Sequence, residues 1–205
     1  PALVLSLINE LIGECATKET LGKALNSLNG YLVDSGYVTS RVYIGPQDLA
    51  DGTIELTAVD GRIERIQYQD NDRIALGKVA SAFPVGEGDI LRLIDLERGI
   101  DQMSAPRSQQ ITMNLIPGTR PGYSIIDLSD RPKEQLANSL RFRAGMDNFV
   151  TKSEGTEKLT LGIDGDNLLN ANDSWSLTHI GSFDTNALAV SGSIPVGYWT
   201  HGISY

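Results

Sequence analysis

The change of pattern that decides the fold begins at Leu140-Arg141-Phe142-Arg143-Ala144-Gly145-Met146. Apolar side chains alternate here with arginine and glycine, which is the two-residue period of a β-strand. A similar alternation returns in later segments, around residues 159–164, 175–183, 188–196 and 199–205. Apolar residues recur at the three-to-four-residue spacing of a helix before this region and no longer do so after it. The sequence therefore predicts an α+β part followed by an all-β part with antiparallel strands.

Two copies of one small module precede these strands. The second copy contains a strand at 62–68, helical stripes that end near Phe83 and Met103, and strands at 111–115 and 123–128. The first copy lacks the opening strand and contains an apolar stripe at 3–12, a helix that Thr17 caps and Gly36 ends, and strands at 41–44 and 53–59. We therefore predict three domains, at 1–60, 61–130 and 131–205.

The composition is that of folded protein, with 40% hydrophobic and 21% charged residues and a mean hydropathy of -0.14. The net charge is -9, and no segment is basic. Because nucleic-acid binding requires clustered cations, this balance argues against a nucleic-acid partner. No run approaches the roughly 20 apolar residues that a membrane helix needs. The chain lacks an initiator Met and ends within an apparent strand, so we expect it to be an internal piece of a longer protein.

The sequence has few of the cysteine, histidine and clustered acidic residues that form metal or catalytic sites. A single cysteine, Cys15, excludes an internal disulfide and a multi-cysteine metal site. His179 and His201 are far apart with no thiol nearby, which gives zinc no support. The segment Asp164-Gly165-Asp166-Asn167 resembles a calcium loop, but Leu168 stands where a ligand is needed. We expect no enzyme activity, no metal and no cofactor.

The polar face of the all-β part carries mainly Ser, Thr and Gly with two arginines, whereas a soluble sandwich would be expected to expose Lys and Glu. That composition favours a hydrated barrel lumen. Alternation alone fits a soluble β-domain equally well.

The chain resembles the two-partner-secretion outer-membrane transporters (TpsB), also called haemolysin secretion and activation proteins, which are relatives of the barrel-assembly superfamily. The resemblance spans nearly the whole chain and depends on the order of several motifs. They include Gly36-Tyr37-Val38-Thr39-Ser40-Arg41, Asp60-Gly61-Arg62-Ile63-Glu64, Asp95-Leu96-Glu97-Arg98-Gly99, Asp166-Asn167-Leu168-Leu169 and Pro195-Val196-Gly197-Tyr198-Trp199.

This resemblance implies two POTRA modules of β-α-α-β-β topology in the periplasm, the first without its opening strand, and the first strands of an outer-membrane β-barrel. It implies transport of a large, unfolded, β-rich exoprotein, such as an adhesin, a cytolysin or a contact-dependent toxin. Family members often pair a cysteine of the first POTRA strand with one at the Cys15 position, so an unpaired Cys15 fits a truncated module. A buried free thiol is the alternative. The rival functions are a barrel-assembly factor and a soluble periplasmic adaptor.

An exposed strand at a sheet edge can bind an extended client by backbone pairing. We expect two such edges, although each strand can also be merely half-buried; their residues are Arg41, Val42, Tyr43, Ile44, Gln109, Gln110, Ile111, Thr112, Met113, Asn114 and Leu115. A groove beside the helix at 20–33 is a possible site for client side chains. Arg141 and Arg143 either line a pore or pair with carboxylates of neighbouring strands.

Overall fold

The structure is a computed structural model that describes residue 13 and residues 17–48, 52–68, 73–130, 139–148, 157–182 and 186–205. The helix predicted at 3–12 and Cys15 lie outside the described residues.

Three helices are described: α1 (Lys18–Asp34), α2 (Arg73–Ala82) and α3 (Leu93–Ser104). Helix α1 begins where the sequence predicted, because the Thr17 and Thr20 hydroxyls each accept a hydrogen bond from the other residue's backbone N–H, at 3.2 and 3.0 Å. It ends before Gly36, whose φ of +87° is the left-handed conformation that glycine adopts without strain. Both predicted ends of this helix are confirmed.

In the part of the chain that the structure describes, ten strands form three sheets. Strands β1 (Arg41–Tyr43) and β2 (Thr57–Val59) form an antiparallel pair. A second sheet has the order β3-β5-β4, from β3 (Arg62–Tyr68), β4 (Ile111–Pro117) and β5 (Tyr123–Asp130). The third is an antiparallel sheet of β6 (Leu140–Asp147), β7 (Lys158–Asp166), β8 (Ser174–Gly181), β9 (Asn186–Val196) and β10 (Trp199–Ser204), each paired with the next. The α+β part followed by an all-β part is confirmed.

Strand β2 is shorter than the predicted strand at 53–59. The side-chain amide of Gln47 binds the backbone of Glu55 on both sides, accepting from its N–H at 2.8 Å and donating to its carbonyl at 3.0 Å. If β2 continued through Glu55, this N–H and this carbonyl would be available to pair with the neighbouring strand instead. The prediction was therefore wrong at this end, because alternation does not reveal that a side chain has captured the backbone.

The chain divides into two compact units. One contains Pro1–Arg65, Gly86–Ile94 and Leu115–Ile126, and its fully buried side chains include Ile63, Leu91 and Ile126. The other contains Ile66–Val85, Asp95–Asn114 and Asp127–Tyr205. In this second unit, Leu96, Met103 and Leu128 are buried, and Gly99 of α3 packs against the ring of Phe83, the residue after α2, since a Cβ added there would lie 2.4 Å from that ring.

Candidate functional site

Strand β4 occupies an edge of the three-stranded sheet, since β5 lies between it and β3. The backbone N–H of Ile111 donates to the Ser104 hydroxyl at 3.1 Å, which shows that it is directed away from β5. Backbone groups of an antiparallel strand alternate between the two sides. The N–H and C=O groups of Met113 and Leu115 are therefore also directed away from β5, along the edge.

The start of this edge differs from the prediction. Strand β4 begins at Ile111, so Gln109 and Gln110 precede it. Gln109 is a buried residue whose side chain is fully engaged in hydrogen bonds to other segments. Sequence reasoning placed both glutamines in the edge strand, and this placement was wrong: the strand begins after them, and the partners of the Gln109 side chain include residues far away along the chain.

The other predicted edge, strand β1, is partly covered. Arg41 and Tyr43 lie opposite Val59 and Thr57 of β2. Between them, Val42 has both its backbone groups bound by the side chain of Asn29 on α1: its N–H donates to Asn29 at 2.9 Å, and its carbonyl accepts at 3.0 Å. Ile44 follows the end of the strand. The outer backbone groups at the centre of β1 are thus already paired, which the prediction of an available edge did not foresee.

A buried carboxylate organises the turn between β4 and β5. Glu64 accepts hydrogen bonds from the N–H and hydroxyl of Thr119, at 2.8 and 3.0 Å, and from the N–H of Arg120 at 3.4 Å. Burial raises the pKa of the Glu64 carboxyl, but these hydrogen bonds and the Arg120 charge outweigh burial and bring it below its ordinary value. Sequence reasoning gave Glu64 no role; the available signal was an acid next to the apolar Ile63 inside a strand.

A groove of about 380 Å³ adjoins the end of β4. Leu115, Ile116 and Pro117 form one wall, and Val38, Thr39 and Arg41 contribute to its lining. Leu115 and Ile116 are each 39% exposed. Apolar side chains therefore remain accessible directly beside the edge.

The polar face of the five-stranded sheet carries paired charges. Arg141 forms a two-point ion pair with Asp166, at 2.7 and 3.0 Å, and Arg143 lies 2.8 Å from Asp164. The same four residues line a concave region of about 450 Å³. Both arginines therefore pair with carboxylates of β7, which is one of the two readings left open by the sequence; a place in the wall of a pore stays a prediction. Serines of β8 and β9 complete this lining: Ser174, Ser176, Ser191 and Ser193.

The opposite face of this sheet is apolar and exposed. Phe142 lies opposite Ile163, which lies opposite Leu177, so the three form a row across β6, β7 and β8. Phe142 is 72% exposed and Met146 is 73% exposed. The predicted parity of β6 is confirmed: phenylalanine and methionine lie on one face, and the arginines lie on the other.

Among the described residues, no group of three or more His, Cys, Asp or Glu side chains is arranged to hold a metal ion. Within the same part of the chain, no helix is both long enough and apolar enough to cross a membrane.

Three family matches follow one another along the chain. The POTRA domain of ShlB type matches residues 1–61, a POTRA domain matches residues 62–117, and the haemolysin secretion/activation protein family of ShlB, FhaC and HecB matches residues 122–205.

Similar proteins bear transporter names. The outer membrane transporter CdiB of Dickeya dadantii (strain 3937) is 32% identical over 95% of the chain and 35% of its own length. The hemolysin transporter protein ShlB of Serratia marcescens is 30% identical over 74% of the chain and 26% of its own length. The solved structure of CdiB from Escherichia coli matches with a TM-score of 0.83 at 27% identity, covering 99% of the chain and 38% of that structure. The chain spans about a third of the length of these relatives.

Proposed function

Because the chain belongs to the haemolysin secretion/activation protein family of ShlB, FhaC and HecB, we propose that its complete protein moves a secreted exoprotein across the outer membrane. Two POTRA domains in the periplasm bind the unfolded client, and a β-barrel in the outer membrane passes it outward. We place the domain boundaries at 1–60, 61–130 and 131–205; three successive family matches, at 1–61, 62–117 and 122–205, support a division into three parts.

The exposed apolar face of β6 to β10 is the single observation that carries this proposal. Side chains such as Phe142, Met146 and Ile203 are 68% or more exposed on strands whose other face is polar. In water so much exposed apolar surface is costly, whereas in a bilayer it contacts lipid tails. The same observation opposes the soluble periplasmic adaptor.

We assign client binding to the edge of β4. An extended segment of the client pairs with the outward backbone groups of Met113 and Leu115, and its side chains enter the groove beside Leu115 and Ile116. Backbone pairing tolerates many sequences, which suits a client that is still unfolded. In strand β1 a client must displace the Asn29 amide from Val42, so β4 is the principal edge.

Arg141 and Arg143 are assigned to the wall of the conduit. Each keeps a carboxylate partner on β7, so the pair of strands presents both charge signs next to serine hydroxyls. A wall of this kind offers a passing polypeptide hydrogen bonds without a strong net attraction. The client is an adhesin, a cytolysin or a contact-dependent toxin, the classes that the resemblance implies; the name of the Serratia marcescens relative specifies a hemolysin.

A proline scan along β4 tests the binding edge in the complete protein. Met113→Pro removes one outward N–H while the inward pairing with β5 is kept, so client affinity should fall about fivefold, corresponding to one backbone hydrogen bond of about 1 kcal/mol. Met113→Ala keeps the N–H and should bind nearly as the wild type does.

Asn114→Pro provides the contrast, because its N–H faces β5 and its loss should destabilise the sheet. Binding is measured by titrating the purified protein with a fluorescent client fragment, and folding by circular dichroism. Unchanged affinity in a folded Met113→Pro variant would remove the edge of β4 from the proposal.

A further inference from the structure

The side chain of Gln109 joins three segments of the second compact unit. Its carbonyl oxygen accepts hydrogen bonds from Lys78 on α2 at 3.1 Å and from Asn167 at 3.0 Å. Its amide nitrogen donates to Asn172 at 2.8 Å and to the carbonyl of Met103 on α3. Both ends of the buried amide are therefore satisfied, and they connect the two helices to the turn between β7 and β8.

Asn172 continues the same network. Its amide donates to the backbone carbonyl of Lys78 at 2.7 Å and to the hydroxyl of Ser81 at 3.0 Å. Asn172 is itself buried, and its φ of +55° is one of three left-handed asparagine conformations in this turn. Asparagine tolerates this conformation better than most residues. The backbone conformation of the turn therefore directs the side-chain amide of Asn172 toward α2.

Close packing accompanies these hydrogen bonds. A Cβ added to Gly77 on α2 would lie 2.8 Å from the carbonyl oxygen of Asn170 in the turn. The turn between β9 and β10 is held separately, because the N–H of Gly197 donates to the carbonyl of Ser81 at 2.8 Å and Arg98 donates to the carbonyl of Tyr198 at 2.7 Å. Both turns at this end of the sheet are therefore attached to helices α2 and α3.

The network continues directly into the client-binding strand. Gln109 is followed after one residue by Ile111, where β4 begins. Its neighbour Ser108 donates its backbone N–H to Asp166 at 3.0 Å, and Asp166 is bound by Arg141 on the polar face of the sheet. Two consecutive residues before β4 are therefore held by strand β7 and the turn that follows it.

We propose that Lys78, Gln109 and Asn172 form a polar lock that fixes the start of β4 to the β7–β8 turn, and that transport depends on this attachment. The inference rests on the proposed transport function and adds a positioning role to it. The lock residues contact no client. They hold the start of β4 to strand β7 and the turn that follows it, so that this end of the strand keeps a fixed position.

The first test separates positioning from binding in the complete protein. Asn172→Ala removes the bonds to Gln109, Lys78 and Ser81, and secretion of the client should fall about tenfold while the affinity for a fluorescent client fragment stays within about twofold of the wild type. A change confined to client affinity, or undiminished secretion by Asn172→Ala, would overturn the proposal.

A second variant perturbs the same contact without removing a hydrogen bond. Gly77→Ala places a methyl group against the Asn170 carbonyl and should also lower secretion. Gly22→Ala on helix α1 is the matched control, since a Cβ there meets nothing within 4 Å and the same gain in helix propensity applies. Equal secretion by the two glycine variants would count against a fixed attachment.

If the wild type neither binds nor secretes the client, the proposed function has failed rather than the lock.

Discussion

Replacing Phe142 by alanine measures how much the apolar face of β6 contributes when it contacts lipid. Phe142 is 72% exposed as a residue, and a phenylalanine side chain has about 200 Å² of surface, so about 140 Å² is available to lipid. At about 25 cal/mol per Å², that area stabilises the folded protein in a bilayer by about 3.5 kcal/mol. Because alanine keeps a small part of this, Phe142→Ala should lower the free energy of unfolding by about 3 kcal/mol.

The assay is urea-induced unfolding of the complete protein in phospholipid vesicles, followed by tryptophan fluorescence. Arg143→Ala is the control, since Arg143 is the next residue and lies on the polar face. It loses a half-exposed ion pair with Asp164, and exposed pairs contribute less than about 1 kcal/mol. A loss below about 1 kcal/mol for Phe142→Ala, or a larger loss for Arg143→Ala, would refute a lipid-facing role for this surface.

Two further predictions concern the POTRA region. The folded-state pKa of Glu64 lies below its ordinary value, so its stabilising contribution is complete above about pH 4.3 and is lost as the pH falls through the folded-state pKa. The difference in unfolding midpoint between the wild type and Glu64→Gln should therefore be present at pH 7 and shrink at pH 3; a constant difference would contradict it. Gly99→Ala places a methyl group 2.4 Å from the Phe83 ring and should lower the free energy of unfolding by about 1–3 kcal/mol. Thermal unfolding measures the change, and an unchanged midpoint would show that the ring can move away at no cost.

The sequence predicted features that depend on neighbouring residues. Thr17 and Gly36 mark the ends of α1 because capping uses residues within one turn of the helix. Phe142 and Arg143 were assigned to opposite faces because side chains of a strand alternate. These rules require no knowledge of distant partners, and the structure confirms them.

Features that depend on residues far apart in the chain escaped prediction. Gln109 was expected on an open edge and is instead buried against Asn172, 63 positions later. Val42 was expected to be available and is paired with Asn29 of the preceding helix. Gln109 is drawn into a network of side chains, and at Val42 an amide side chain takes the place of a backbone partner; periodicity carries no information about either arrangement.

The secretion phenotype of a strain that lacks the gene tests transport most directly. The amount of exoprotein on the cell surface and in the medium is compared with the amount in the periplasm, and the levels of unrelated outer-membrane barrels are measured in the same cells. We expect the exoprotein to disappear from the outside, the other barrels to be unchanged, and the intact gene to restore export. Undiminished export would contradict the transport function, and a general loss of outer-membrane barrels would favour a barrel-assembly factor instead.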